Sequence, residues 1–198
     1  MFTGIIETLG KVVNISKDGH NCHFDISSEI SNELKVDQSV SHNGCCLTVV
    51  DIKDGSHTVT AIQETINRTH FKTLKVNDLI NLERCMKLNG RFDGHIVQGH
   101  VDSTASCITK EDQDGSTIFG FRLNNKTKLI VEKGSVCING VSLTIIEAKS
   151  DQFTVAIIPY TMENTTFSRL MLGDLVNVEF DIIGKYVAKM NEKNYFTT

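Results

Sequence analysis

Residues 39–83 read SVSHNGCCLTVVDIKDGSHTVTAIQETINRTHFKTLKVNDLINLE, and residues 135–179 read SVCINGVSLTIIEAKSDQFTVAIIPYTMENTTFSRLMLGDLVNVE. Laid over one another they align without a gap and agree at 18 of 45 positions. Unrelated chains of ordinary composition would agree at about three, so the chain contains a duplicated unit. The segments ahead of each copy echo as well: FTGIIETLGKV from Phe2 and FDGHIVQGHVD from Phe92 share a Phe-x-Gly-x-Ile frame. Two similar domains are expected, residues 1–89 and 90–182, followed by a tail over 183–198. The turn residues Leu88-Asn89-Gly90-Arg91 mark the boundary.

Within each copy, short alternating runs rich in β-branched residues are separated by turn clusters such as Lys53-Asp54-Gly55-Ser56. In the first copy they are KVVNIS, HFDIS, LTVVDI, HTVTAI and LINLE; in the second, GHIVQGHV, TIFGFRL, LTIIEA, FTVAII and LVNVEF. About six strands at this spacing predict an all-β fold, with one small closed or nearly closed barrel per copy. Helix-like stretches, ETINRTHFKTL and TMENTTFSRLM, interrupt the strands at matched places. In the tail, Ile182, Ile183, Tyr186, Val187 and Met190 fall on one face of an amphipathic helix outside the repeat. That face must be buried against a second copy of the chain or against its own domain.

Composition narrows the partner. The 198 residues are 40% hydrophobic and 22% charged, with a net charge of −4. A dedicated nucleic-acid binder would show a basic stripe, so a small molecule or a protein is the expected partner. MFTGIIETLGK lacks the basic start and long apolar run of a signal peptide. No stretch approaches the roughly 20 apolar residues of a membrane span. The six cysteines show no zinc-type spacing and read as reduced thiols of a cytoplasmic protein.

Two of those cysteines are adjacent, and the duplication separates their roles. Successive side chains of a strand point to opposite faces, so Cys45, Leu47 and Val49 share one face, and Cys46 and Thr48 the other. In the second copy the first face is Val141, Leu143 and Ile145, wholly apolar, and the other is Ser142 and Thr144. Cys45 is therefore core filler, and Cys46 lies on a polar face suited to a pocket, one in each domain. Cysteine is the nucleophile suited to neutral pH, and histidine the proton carrier. In the Phe-x-Gly frame the second copy carries His95 and His100 where the first has Ile5 and Gly10. Five positions apart on a strand they would face opposite ways, which disfavours a shared metal; either could equally be a structural, hydrogen-bonded histidine.

Six motifs, MFTGIIETLG, NGCCLTV, GHIVQGHVD, VEKGSVCINGVSLT, IIPYTMENTT and GDLVNVEFDIIGKY, together resemble the riboflavin synthase family. The resemblance runs in register from residue 1 to about 187. It implies two six-stranded Greek-key barrels in a homotrimer held by the C-terminal helix. Each active site is then shared between the N-terminal barrel of one subunit and the C-terminal barrel of a neighbour. It implies dismutation of two 6,7-dimethyl-8-ribityllumazine molecules to riboflavin and 5-amino-6-ribitylamino-pyrimidinedione, two ligands per site, with no cofactor or metal. Lumazine synthase is the candidate further partner.

Residue by residue, the resemblance implies that Cys46 is the active-site thiol near C7 of the first lumazine. His100 would move protons at the exchangeable C7 methyl. Ser142 and Thr144 hold the second lumazine, while Ser39 and Asp181 complete the polar shell. Gly4, Ile5 and Ile6, with Leu47, Thr48 and the run Thr60, Ala61, Ile62, Gln63, Glu64 and Thr65, would bind the first ligand. Gly99, Val101, Lys133, Leu143, Ile158 and Thr161 would contribute around the second, and Phe2 would stack on or position the site. The family often has a second Gly ahead of the first His, where this chain has Asp93-Gly94-His95. It often has His where this chain has Tyr160. The rival reading is an antenna protein that holds lumazine or flavin without turnover; the intact set Cys46, His100, Ser142 and Asp181 speaks against it. Flavin-reductase-like barrels are disfavoured because no Gly-rich phosphate loop is present.

Overall fold

The computed structural model describes residues 1–191. The first copy folds as β1 (Thr8–Asp18), β2 (Asn21–Ser27), β3 (Ser39–His42), β4 (Cys45–Lys53), β5 (Ser56–Ala61) and β6 (Leu79–Arg84). The second repeats them as β7 (Ser103–Gln113), β8 (Ser116–Leu123), β9 (Ser135–Ile138), β10 (Val141–Ala148), β11 (Gln152–Ile157) and β12 (Leu175–Phe180). Antiparallel pairing closes one barrel in the order β1-β2-β5-β4-β3-β6 and the other in the matching order β7-β8-β11-β10-β9-β12. In each, three hairpin-linked strands are flanked by an earlier strand lying beside the last of them, which is Greek-key order. The all-β expectation of two six-stranded barrels therefore holds.

Local chemistry explains the closure. Asn43-Gly44 and Asn139-Gly140 all take positive φ, 44° and 77° in the first copy and 45° and 85° in the second. Asn-Gly favours this backbone, and its twist suits a two-residue hairpin loop. The pairing register slips between Val49 and Asp51, and at the matched place between Ile145 and Glu147. Such bulges bend a strand around a barrel corner, and the first accounts for the break in alternation at Val50 and Asp51, which are both exposed. The helix-like stretches break in two. Helices α1 (Gln63–Arg68) and α2 (Pro159–Asn164) end at Thr69 and Thr165, each extended, before a 3-10 turn. Each threonine hydroxyl donates back to a helix carbonyl and accepts from the N–H two residues on.

The sequence expectation fails at one strand. GHIVQGHV, residues 94–101, forms no strand beyond a single bridge between Phe2 and Val97. The first strand of the second barrel is β7, whose polar run, STASCITKEDQ, buries only Ala105 and Cys107. Too little apolar alternation remains there to mark it.

The barrels meet through their two Asn-Gly turns. A Cβ on Gly44 would lie 2.6 Å from the Gly140 nitrogen, so the backbones touch. Buried Asn81 and Asn177 stitch the contact reciprocally. Asn177 Nδ2 donates to Asn43 O at 2.9 Å, and Asn81 Nδ2 donates to Asn139 O at 2.8 Å. Helix α3 (Ile182–Met190) leaves the second barrel with Ile183, Tyr186, Val187 and Met190 exposed. The rest of the expected tail, 192–198, lies outside the described residues. Among the described residues no helix is long and apolar enough to cross a membrane.

Candidate functional site

Cys46 and Ser142 occupy equivalent places, the second residues of β4 and β10. Their neighbours Cys45 and Val141 are buried in the barrel cores, whereas both are partly accessible. Val49 and Ile145 complete the inward face, as the alternation of the two copies predicts. Leu47 also points into the core, so only its backbone can face a pocket, while Leu143 is half-buried against the second core.

Two chain segments cross between the barrels and complete each place. Phe2 and Val97 exchange backbone hydrogen bonds of 2.8 and 3.1 Å. Beyond that bridge, Gly99 O accepts from Cys46 N at 2.9 Å, and Gly4 O accepts from Ser142 N at 2.8 Å. Gly4 and Gly99 have φ of 79° and 81°. A Cβ on either would fall within 2.6 Å of the opposing Cβ, so only glycine permits the approach. Gly4 is thus the counterpart of Gly99, not of Gly94. His100 takes the place of Ile5, and the Phe-x-Gly-x-Ile frame is displaced by five residues.

This crossing corrects the expected grouping. Gly4 lies against Ser142 and Ile6 packs on the second core, so they go with the second pocket. Gly99, with His100 and Val101, lines a cleft of about 300 Å³ together with Cys46, Glu64 and Thr65 of the first barrel. Ile5 lines a separate cleft of about 600 Å³ that also reaches Ser39, Glu83 and Cys85. The reason is topological: each incoming segment docks on the opposite barrel before entering its own.

The electrostatics follow from burial. Desolvation raises the Cys46 pKa, opposed by a hydrogen bond from Ser39; Cys45 is pushed up to about 12, again by burial first. Cys46 is the more ionisable of the two. His100 is exposed at the cleft, its backbone N–H held 2.8 Å from a Glu179 carboxylate oxygen. His95 is buried, with Nδ1 2.7 Å from Ser142 Oγ and Nε2 without a partner. Burial lowers its pKa and nearby Asp181 opposes the shift. Asp181 also accepts from Ile183 N at 3.0 Å as the N-cap of α3. The His95–Ser142 pair escapes any reading by spacing, because the partners lie 47 residues apart.

The other expected residues are distributed as follows. Phe2 is fully buried with Val97, Cys137 and Cys46, so its ring cannot stack on a ligand and only a positioning role remains. Thr48 is exposed and pairs in register with Ser39. The Thr60 hydroxyl lies 2.8 Å from His23 Nδ1, and Ala61 is core. Ile62 and Ile158 are the exposed N-cap residues of α1 and α2. Gln63 bonds Asn67, Glu64 pairs with Arg68, and Thr161 O accepts from Thr165. Lys133 is exposed at φ 63° beside β9. Thr144 is exposed and pairs with Ser135, and Tyr160 is exposed at the start of α2.

Duplicated closed barrels, with a cleft at Cys46 of the first and Ser142 at the matching place in the second, define a tandem-domain architecture. The family described as "Lumazine binding domain" matches both copies, over residues 3–85 and 98–181. The chain is 40% identical to riboflavin synthase of Bacillus subtilis (strain 168) over 195 residues, covering 98% of this chain and 91% of that one. It is 37% identical to riboflavin synthase of Saccharomyces cerevisiae over 203 residues, covering 96% and 85%. Among solved structures, LumP complexed with 6,7-dimethyl-8-(1'-D-ribityl) lumazine superposes with a TM-score of 0.82 at 25% identity, covering 90% of this chain and 98% of that one. The chain belongs to the riboflavin synthase family of tandem lumazine-binding domains.

Proposed function

We propose that this chain is a riboflavin synthase, a transferase that moves a four-carbon unit between two molecules of 6,7-dimethyl-8-ribityllumazine. The observation that carries the proposal is full-length similarity to riboflavin synthases combined with Cys46, Gly99 and His100 lining one cleft. In this reading the first lumazine lies in that cleft. Cys46 activates its ring by adduct or hydrogen bond, and His100 carries protons at the C7 methyl. The second lumazine lies against Ser142 and Thr144, under the Gly4 segment. Ser39 supports the Cys46 sulfur, and Asp181 and His95 frame the Ser142 side. Because donor and acceptor are the same molecule, two similar pockets suit the chemistry, and much of the acceleration comes from holding the two rings in fixed orientation.

The exposed apolar face of α3 supports the homotrimer, in which the first pocket of one subunit meets the second of its neighbour. A cytoplasmic location and association with lumazine synthase belong to the same reading. A second reading, a lumazine- or flavin-holding antenna, draws on the likeness to the LumP complexes. The decisive experiment incubates purified protein with 6,7-dimethyl-8-ribityllumazine and follows riboflavin by fluorescence and chromatography. Stoichiometric conversion of two lumazines to one riboflavin supports the synthase; tight binding without riboflavin overturns it in favour of the antenna.

A further inference from the structure

Glu83 and Glu179 occupy equivalent positions in β6 and β12 and are 4% and 2% exposed. Among the described residues neither carboxylate forms a salt bridge, and both accept chiefly from backbone N–H groups of the crossing segments. Glu83 Oε1 accepts from Thr3 N at 2.6 Å and from Thr3 Oγ1 at 2.9 Å, and its Oε2 accepts from Gly4 N at 3.0 Å. Glu179 Oε1 accepts from Gln98 N at 2.7 Å, and its Oε2 accepts from Gly99 N and His100 N, both at 2.8 Å. Each carboxylate therefore sets the path of a glycine whose carbonyl goes to the other barrel. The Glu179 segment ends on Cys46, and the Glu83 segment ends on Ser142.

We propose that the two barrels are wired crosswise: Glu179, in the second barrel, positions Cys46 and His100 of the first pocket, and Glu83, in the first barrel, positions Ser142 of the second. Both glutamates are positioning residues. A carboxylate is needed because three donors converge on each, and only an acceptor-only group satisfies all of them. A glutamine in its place turns an amide N–H toward at least one buried N–H. The segment then shifts, and the glycine carbonyl withdraws from the opposite strand. The pockets' role in catalysis rests on the function proposed above, but the wiring rests on backbone hydrogen bonds that can be read without substrate.

The test is amide hydrogen exchange by NMR on the full chain, comparing Glu179→Gln with Glu83→Gln. In Glu179→Gln the Cys46 amide should exchange about tenfold faster or more, the factor for 1.4 kcal/mol, while the Ser142 amide keeps its protection. In Glu83→Gln the pattern should reverse. Iodoacetamide labelling of Cys46, read by mass spectrometry, should rise in Glu179→Gln alone, with Cys45 and Cys107 still protected. Loosening of each glutamate's own barrel, or equal acceleration of both amides in both variants, overturns the proposal. Should a Gln variant fail to fold, the Glu→Asp pair keeps charge and acceptors one methylene back and is judged by the same crossed pattern. Absence of riboflavin formation would sink the synthase reading and leave the exchange result untouched.

Discussion

His95 Nδ1 lies 2.7 Å from Ser142 Oγ, and the other ring nitrogen, Nε2, is buried and unpartnered. Burial lowers the pKa of the ring, with Asp181 opposing the shift. The pair fixes the direction of the Ser142 hydroxyl on the one strand face that meets the crossing segment. In the proposed enzyme, His95→Ala should lower kcat/KM about tenfold, the worth of one hydrogen bond in the range of ~1–1.5 kcal/mol. His95→Asn, whose amide can stand where Nδ1 stands, should recover most of the loss. Equal activity in all three proteins would remove His95 from the site.

Cys46→Ser should reduce riboflavin formation far more than Cys45→Ser. Cys45 borders the same cleft, but its side chain packs in the core, 6% exposed, and replacing its sulfur with a hydroxyl buries a polar group, lowering stability by about 1–3 kcal/mol. Steady-state kinetics and urea midpoints on the two variants separate these effects. A matched fall in turnover would refute the assignment of the two faces.

Much of this was legible in the chain. The gapless overlap of 39–83 on 135–179 implies both barrels, and period-two alternation read against the duplicate separates Cys45 from Cys46. Both signals are local, or repeated. What escaped is long-range. Gly4 meets Ser142 and Gly99 meets Cys46 across the barrel interface, and no spacing rule anticipates contacts between segments that dock on the opposite domain. Gly94 misled the frame because it sits in the same Phe-x-Gly pattern as Gly4. The lost strand at 94–101 follows from the same cause: a segment that bridges two barrels makes its hydrogen bonds outward, to Glu179 and Cys46, instead of along a ladder.

The tail helix gives a prediction about assembly. Ile183, Tyr186, Val187 and Met190 are all more than half exposed on α3, an apolar stripe of the kind that marks an association surface. In the trimer proposed above, Tyr186→Glu combined with Val187→Glu should shift the assembly to monomer in sedimentation equilibrium. Turnover should fall with it, while lumazine binding to the single chain persists. A double variant that stays trimeric would show that another surface holds the assembly.

The first barrel carries a buried imidazole pair that the second lacks. His42 Nδ1 donates to Val40 O at 3.0 Å, which leaves His42 Nε2 to accept from His57 Nε2 at 2.9 Å. His57 Nδ1 in turn lies 2.9 Å from Ser31 Oγ and, in the neutral ring, accepts from it in competition with Ile26 O at 3.3 Å. With both rings neutral the bonds run in one continuous chain, and a further proton on His42 Nε2 would set two N–H groups facing each other. Burial first, and then the neighbouring His57, push His42 down to about 3; burial pushes His57 down to about 4. Both folded values lie below the ordinary 6.5, so the unfolded chain binds protons first as pH falls. The stability from keeping these rings neutral is fully present above pH ~6.5 and is lost as pH drops from there toward 4 for His57 and 3 for His42, at up to about 1.4 kcal/mol per pH unit for each ring. At the matched places the second barrel has buried Ile138 and Phe153, which supply the control. Urea midpoints measured between pH 7.5 and 5 should fall steeply in the native chain and less steeply in His42→Ile/His57→Phe. Parallel slopes in the two proteins would assign the acid sensitivity elsewhere, to His70 or His95, whose pKa values burial also lowers.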